Sequence, residues 1–80
     1  MASYRFYWDD GTLAKLADRG LSQDEVEDVV SGPFSFASSN TSGRDCVFGW
    51  TVTGRYIIVV YEKLGPDEVQ VITAYDVPEP

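Results

Sequence analysis

The chain contains no histidine, which removes the side chain most often used to move protons near neutral pH. It has one cysteine, Cys46, so no internal disulfide can form and no Cys/His set exists to hold zinc. Basic residues are scarce, six against thirteen acidic ones, giving a net charge of −7 and a pI near 4.2. Nucleic-acid binding normally rests on Lys and Arg neutralising phosphates, so the overall field disfavours RNA and an anionic membrane, and suits a basic protein partner. No apolar run approaches the ~20 residues needed to cross a bilayer. The start, Met1-Ala2-Ser3-Tyr4-Arg5, lacks the long apolar region of a signal peptide. The expected location is the cytoplasm, where the sequon Asn40-Thr41-Ser42 is a chance match.

What is present is enough for one core. Residues 1–80 read as a single domain, burying about 60–65% of the surface the unfolded chain exposes. The composition is 44% hydrophobic, which separates it from disordered chains.

Tyr4, Phe6 and Trp8 alternate and predict a strand. Asp9 or Asp10 caps a short helix, with Leu13, Leu16 and Ala17 as its buried stripe. Arg19 suits the negative end of that helix, and Gly20 supplies a left-handed stop. Ser22 and Glu25 form a capping box for a second helix that buries Val26, Val29 and Val30 and ends at Gly32-Pro33. From Phe34 the pattern turns to β. Strands are expected at Phe34–Ala37, Asp45–Val52, Arg55–Lys63 and Glu68–Tyr75. A polar loop spans Ser38–Gly43, and a proline-containing tail follows Val77. Ile57–Val60 is apolar on both sides, as a central strand requires. The expected fold class is α+β: two short helices on a twisted antiparallel sheet, in the order β-α-α-β-β-β-β.

If Thr53-Gly54 is a two-residue turn, counting fixes the register of the hairpin around it. Val52 then faces Arg55, Trp50 faces Ile57, Phe48 faces Val59, Cys46 faces Tyr61, and Arg44 faces Lys63. That set is expected to meet the helices, with Cys46 an inert buried thiol.

Several short motifs fall in a definite order. Phe6-x-Trp8-Asp9 comes first, then Arg19-Gly20-Leu21-Ser22 with Glu25-Val26 and Val29. Next come Gly49-x-Thr51-x-x-Gly54-Arg55 and Ile57-x-Val59-Val60-Tyr61, and Val71-Ile72-Thr73-Ala74 closes the set. From Phe6 to about Glu79 this order resembles the BrnT family of toxins, small RelE-like ribonucleases of bacterial type II toxin–antitoxin pairs. The resemblance implies a RelE-like fold, metal-independent RNA cleavage with no cofactor, and neutralisation by a DNA-binding antitoxin. It also marks departures. Thr12 stands where the family usually has lysine, Asp18-Arg19-Gly20 where it tends to read Lys-His-Gly, and Thr73-Ala74-Tyr75 where it ends Ser-Ala-Arg. Arg55 alone matches an expected cation.

Metal-independent cleavage needs a proton acceptor, a proton donor and positive charge on the phosphorane. The candidates are Arg55, Tyr75, Lys63 and Arg44. Arg55 can hold a phosphate, or pair with a nearby carboxylate beside its turn. Tyr75 can stack on a base or donate a proton, or cap the edge of the core. Arg44 and Lys63, as neighbours in the counted register, can share a phosphate or form a solvated rim. Arg55 and Lys63 are too far apart to do so, roughly 26 Å at ~3.3 Å per residue. Three functions therefore compete: a toxin-like ribonuclease, a non-catalytic interaction module that binds a basic partner, and a small-ligand or regulatory protein whose only support is the count of Tyr and Trp, which the core already explains.

Overall fold

The computed structural model describes residues 4–38 and 44–80. The element order is β1 (Arg5–Tyr7), α1 (Asp10–Asp18), α2 (Gln23–Ser31), β2 (Ser35–Ser38), β3 (Asp45–Trp50), β4 (Tyr56–Gly65) and β5 (Glu68–Asp76). The expected α+β order is present. Most of the expected Ser38–Gly43 loop, including Asn40-Thr41-Ser42, lies outside the described residues, as do Met1–Ser3.

Both helices start where local chemistry places them. The Asp9 carboxylate accepts from the Thr12 backbone N–H at 2.7 Å and caps α1. Ser22 and Glu25 form the reciprocal capping box of α2. Gly20 follows α1 with φ +69°, a left-handed geometry that a Cβ would strain.

The five strands form one sheet in the order β1-β5-β4-β3-β2. It is mixed, which corrects the wholly antiparallel expectation: β1 pairs parallel to β5, with Phe6 against Val69, while the other pairs are antiparallel. Two helices intervene between β1 and β2, so the chain is free to bring its first strand back along its last. β4 is central, as its two-sided apolar run requires.

The hairpin register differs by one residue from the counted one. The turn holds three residues, Val52-Thr53-Gly54, closed by Thr51 N–H donating to Arg55 C=O at 2.8 Å. Gly54, at φ +88°, fills the left-handed third position of such a loop. Trp50 therefore faces Tyr56, Phe48 faces Ile58, and Cys46 faces Val60. Because side chains alternate, one step moves all of β3 to the opposite face. Val47, Gly49 and Thr51 meet the helices. Phe48, Trp50 and Cys46 lie on the other face, with Cys46 partly exposed rather than buried in the core.

The core lies between the helices and the inner sheet face. Leu16, Val26, Val29, Val47, Ile57, Val59, Val69 and Val71 are its fully buried side chains, each worth about 1.5–3 kcal/mol in transfer free energy. Tyr4, Phe6 and Trp8 pack against it from β1. On the opposite face Phe34, Phe48, Trp50 and Tyr56 form a separate aromatic cluster. Trp50 lies 4.8 Å from Phe34 and 4.6 Å from Tyr56 between ring centroids.

Candidate functional site

The three-residue turn sets Arg55 at the start of β4, beside the end of β5 and the C-terminus of α1. Four of the five N–H donors of its guanidinium are engaged. Nε donates to Asp76 Oδ1 at 3.0 Å and Nη2 to Asp76 Oδ2. Nη2 also donates to the Arg19 carbonyl at 2.7 Å, and Nη1 to the Gly20 carbonyl at 2.8 Å. Hydrogen bonding to Asp76 raises the Arg55 pKa and lowers that of the carboxyl. Of the two roles the sequence left open for Arg55, this geometry is the turn-flanking arginine paired with a carboxylate.

Tyr75 lies in the same corner, half-exposed, with the Arg19 guanidinium carbon 5.9 Å from its ring centroid. Arg19 Nη1 in turn donates to Thr73 Oγ1 at 3.1 Å and to the Ala74 carbonyl at 3.2 Å. The tertiary structure thus brings Arg55, Arg19, Tyr75 and Asp76 together.

Lys63 and Arg44 do not join them. Lys63 is exposed, eight positions along β4, opposite Val69. The observed register, continued one step past Asp45–Tyr61, sets Glu62 rather than Lys63 across from Arg44. The expected Arg44–Lys63 pair is corrected accordingly: alternation places the two on opposite faces of the sheet. An open depression of about 550 Å³ lies between Tyr4, Arg5 and the β4–β5 turn at Pro66–Glu68, and none of the four candidates lines it.

Thr12 and Arg19 do a job the sequence did not show. β1 covers only the first third of β5, and beyond it the β5 edge turns its carbonyls toward α1. Thr12, buried inside α1, directs Oγ1 to the Val71 and Ile72 carbonyls at 3.4 and 3.2 Å. Arg19 reaches the Ala74 carbonyl one helical stretch later. Together they seal an open sheet edge with side-chain donors. The expected stripe of Leu13, Leu16 and Ala17 is corrected at the same time: α1 is turned so that Thr12 and Leu16 are buried, Leu13 is half-buried and Ala17 is exposed.

A second polar network ties the hairpin tip to α2. Thr53 Oγ1 donates to Glu25 Oε2 at 2.9 Å and lies 2.9 Å from Thr51 Oγ1. Burial pushes the Glu25 carboxyl up, and hydrogen bonds from Thr53 and Ser22 outweigh it and hold the pKa below the ordinary value. No protein-family model, curated protein or solved structure matches the chain.

Proposed function

We propose that this chain is a non-catalytic interaction module of the cytoplasm that engages a basic protein partner. The observation that carries the reading is the engagement of Arg55 within the fold. Its ion pair with Asp76 and its two carbonyl contacts use four of the five donors that would otherwise meet a phosphate. The remaining candidate cations are dispersed, and the net charge of −7 repels a polyanion while attracting a cationic protein. A small antitoxin with a basic surface fits this description, as does any other basic partner.

A second reading, a BrnT-like toxin that cleaves RNA on a RelE-like scaffold, has one observation in its favour. Arg19, Arg55 and Tyr75 meet at one corner, which is where a phosphodiester and a stacked base would have to sit. Reaching a phosphate there requires Arg55 to leave Asp76.

The test is incubation of the purified chain with single-stranded RNA, together with expression in bacteria lacking any partner. Intact RNA and normal growth are expected. Cleavage that disappears in Arg55→Ala and Tyr75→Phe establishes the toxin reading instead.

A further inference from the structure

The two edges of the sheet are finished differently. Along β5 the carbonyls beyond β1 are met by Thr12 and Arg19. Along β2 the described residues supply no such donors: β2 pairs with β3 on one side only and is the last strand of the sheet. Its sequence, Ser35-Phe36-Ala37-Ser38, carries no charge and no proline, the usual devices that keep an edge from templating another strand.

The direction of its free backbone groups follows from the hairpin. Thr51 donates to Arg55, so the closely bonded pairs of β3 and β4 fall at Thr51, Gly49 and Val47. The peptide groups of Phe48 and Cys46 therefore turn to β2, and Phe34 N–H indeed donates to Phe48 C=O at 2.7 Å. Ser35 and Ala37 face those two residues, which leaves the N–H and C=O of Phe36 pointing off the sheet.

Side chains around this edge are apolar and uncovered. Phe36 is 73% exposed and Phe34 60% exposed, the latter resting on Trp50. Phe36 registers with Val47, which puts it on the helix side of the sheet. The helix over β3 is α2, and it carries Asp24, Glu25, Glu27 and Asp28 with no basic residue. Glu25 already accepts from Ser22 and Thr53, and Glu27 from the Trp8 indole at 3.0 Å, so the charge offered to a ligand rests chiefly on Asp24 and Asp28. A second copy of the chain is a poor occupant, since it brings the same acidic helix and another −7 of charge.

We propose that β2 is a docking edge for an extended cationic segment of a partner protein. The segment adds as a sixth strand, bonds to the Phe36 peptide groups, lays apolar side chains beside Phe34 on the face away from the helices, and on the helix face runs Lys or Arg stems over Phe36 with their charged ends toward α2. This deepens the interaction-module reading, on which it rests, by naming the surface and the chemistry of what binds there.

The test uses the full chain and an acetylated, amidated peptide of alternating Lys and Val, with a Glu–Val peptide as control. Amide exchange of Phe36 is followed by NMR, and affinity by fluorescence titration at low and high salt. Binding of the Lys–Val peptide is expected, weakened by salt, with Phe36 exchange slowed roughly tenfold or more. The Glu–Val peptide is expected not to bind. Phe36→Ala removes the ring and weakens binding. Phe36→Pro removes the outward N–H as well and abolishes it, and an edge strand tolerates proline where its N–H faces solvent. If Phe36→Pro does not fold, the exchange measurement on the unaltered chain decides alone.

Lys–Val binding with Phe36 exchange unchanged overturns the β2 assignment and leaves the interaction reading standing. Equal binding of the Glu–Val peptide, or no binding of either, also overturns it. RNA cleavage in the assay above removes the interaction reading whatever the peptides do.

Discussion

Arg55 and Asp76 lie twenty-one positions apart in the chain and meet side by side, with two nitrogens of one guanidinium on two oxygens of one carboxylate. The same guanidinium holds the carbonyls of Arg19 and Gly20, so one side chain joins the hairpin, the end of β5 and the exit of α1. Replacing Arg55 with alanine is expected to cost about 1–2 kcal/mol, because two charge-assisted bonds and two helix-end contacts go together while solvent partly screens them. Arg55→Lys is expected to recover little, since a single ammonium cannot span both partners. Urea denaturation of both variants measures this.

Acid is expected to loosen the fold. Asp9 is held below its ordinary 3.8 by hydrogen bonds from Thr12, and Asp76 below the same value by Arg55. Glu25 sits below its ordinary 4.5, as burial is outweighed by Thr53 and Ser22. A carboxyl whose folded pKa is depressed adds stability above its unfolded pKa and loses it as pH falls through the folded one. The Tm is therefore expected to hold steady down to about pH 5 and to fall below about pH 4. Asp76→Asn lowers the plateau and flattens part of the acid slope in a thermal scan.

The sealed edge of β5 makes a separate prediction. Thr12→Val keeps the shape but leaves the Val71 and Ile72 carbonyls without their donor, at an expected cost of about 1–2 kcal/mol. Arg19→Ala opens the carbonyl of Ala74 as well as removing its contact with Tyr75. The double variant is expected to self-associate as concentration rises, which sedimentation velocity detects.

Two glycines are expected to resist alanine for different reasons. Gly54→Ala forces a Cβ into a left-handed turn position with nothing near it, a pure backbone penalty of about 1 kcal/mol. Gly49→Ala sets a methyl 3.2 Å from Val29 Cγ1 in the packed layer under α2. Val29 is buried and has little room to yield, so about 1–3 kcal/mol is lost. Chemical denaturation separates the two, because the cost at Gly49 falls when Val29 is shortened to alanine and the cost at Gly54 does not.

Much of the molecule was legible residue by residue. The Asp9 cap, the Ser22–Glu25 box, the Gly20 stop and the buried face of α2 all depend on groups within a few positions of each other, and such chemistry is written directly in the sequence, whereas α1 buries Thr12 and Leu16 and leaves Ala17 of the expected Leu13-Leu16-Ala17 stripe exposed. The central place of β4 followed from its two-sided apolar run. The alternation of Tyr4, Phe6 and Trp8 likewise gave the inner face of β1.

What the sequence could not decide is how distant segments meet. Gly54 announced a turn, but whether two or three residues form it depends on the strands it joins, and that one residue chose the face on which Phe48 and Trp50 lie. The parallel return of β1 to β5 and the grip of Arg55 on Asp76 join groups far apart in the chain. Local propensity carries no information about such encounters. Only the closing of the core, which fixes where every strand end must sit, determines whether a cation is free to bind a ligand or is held inside the structure.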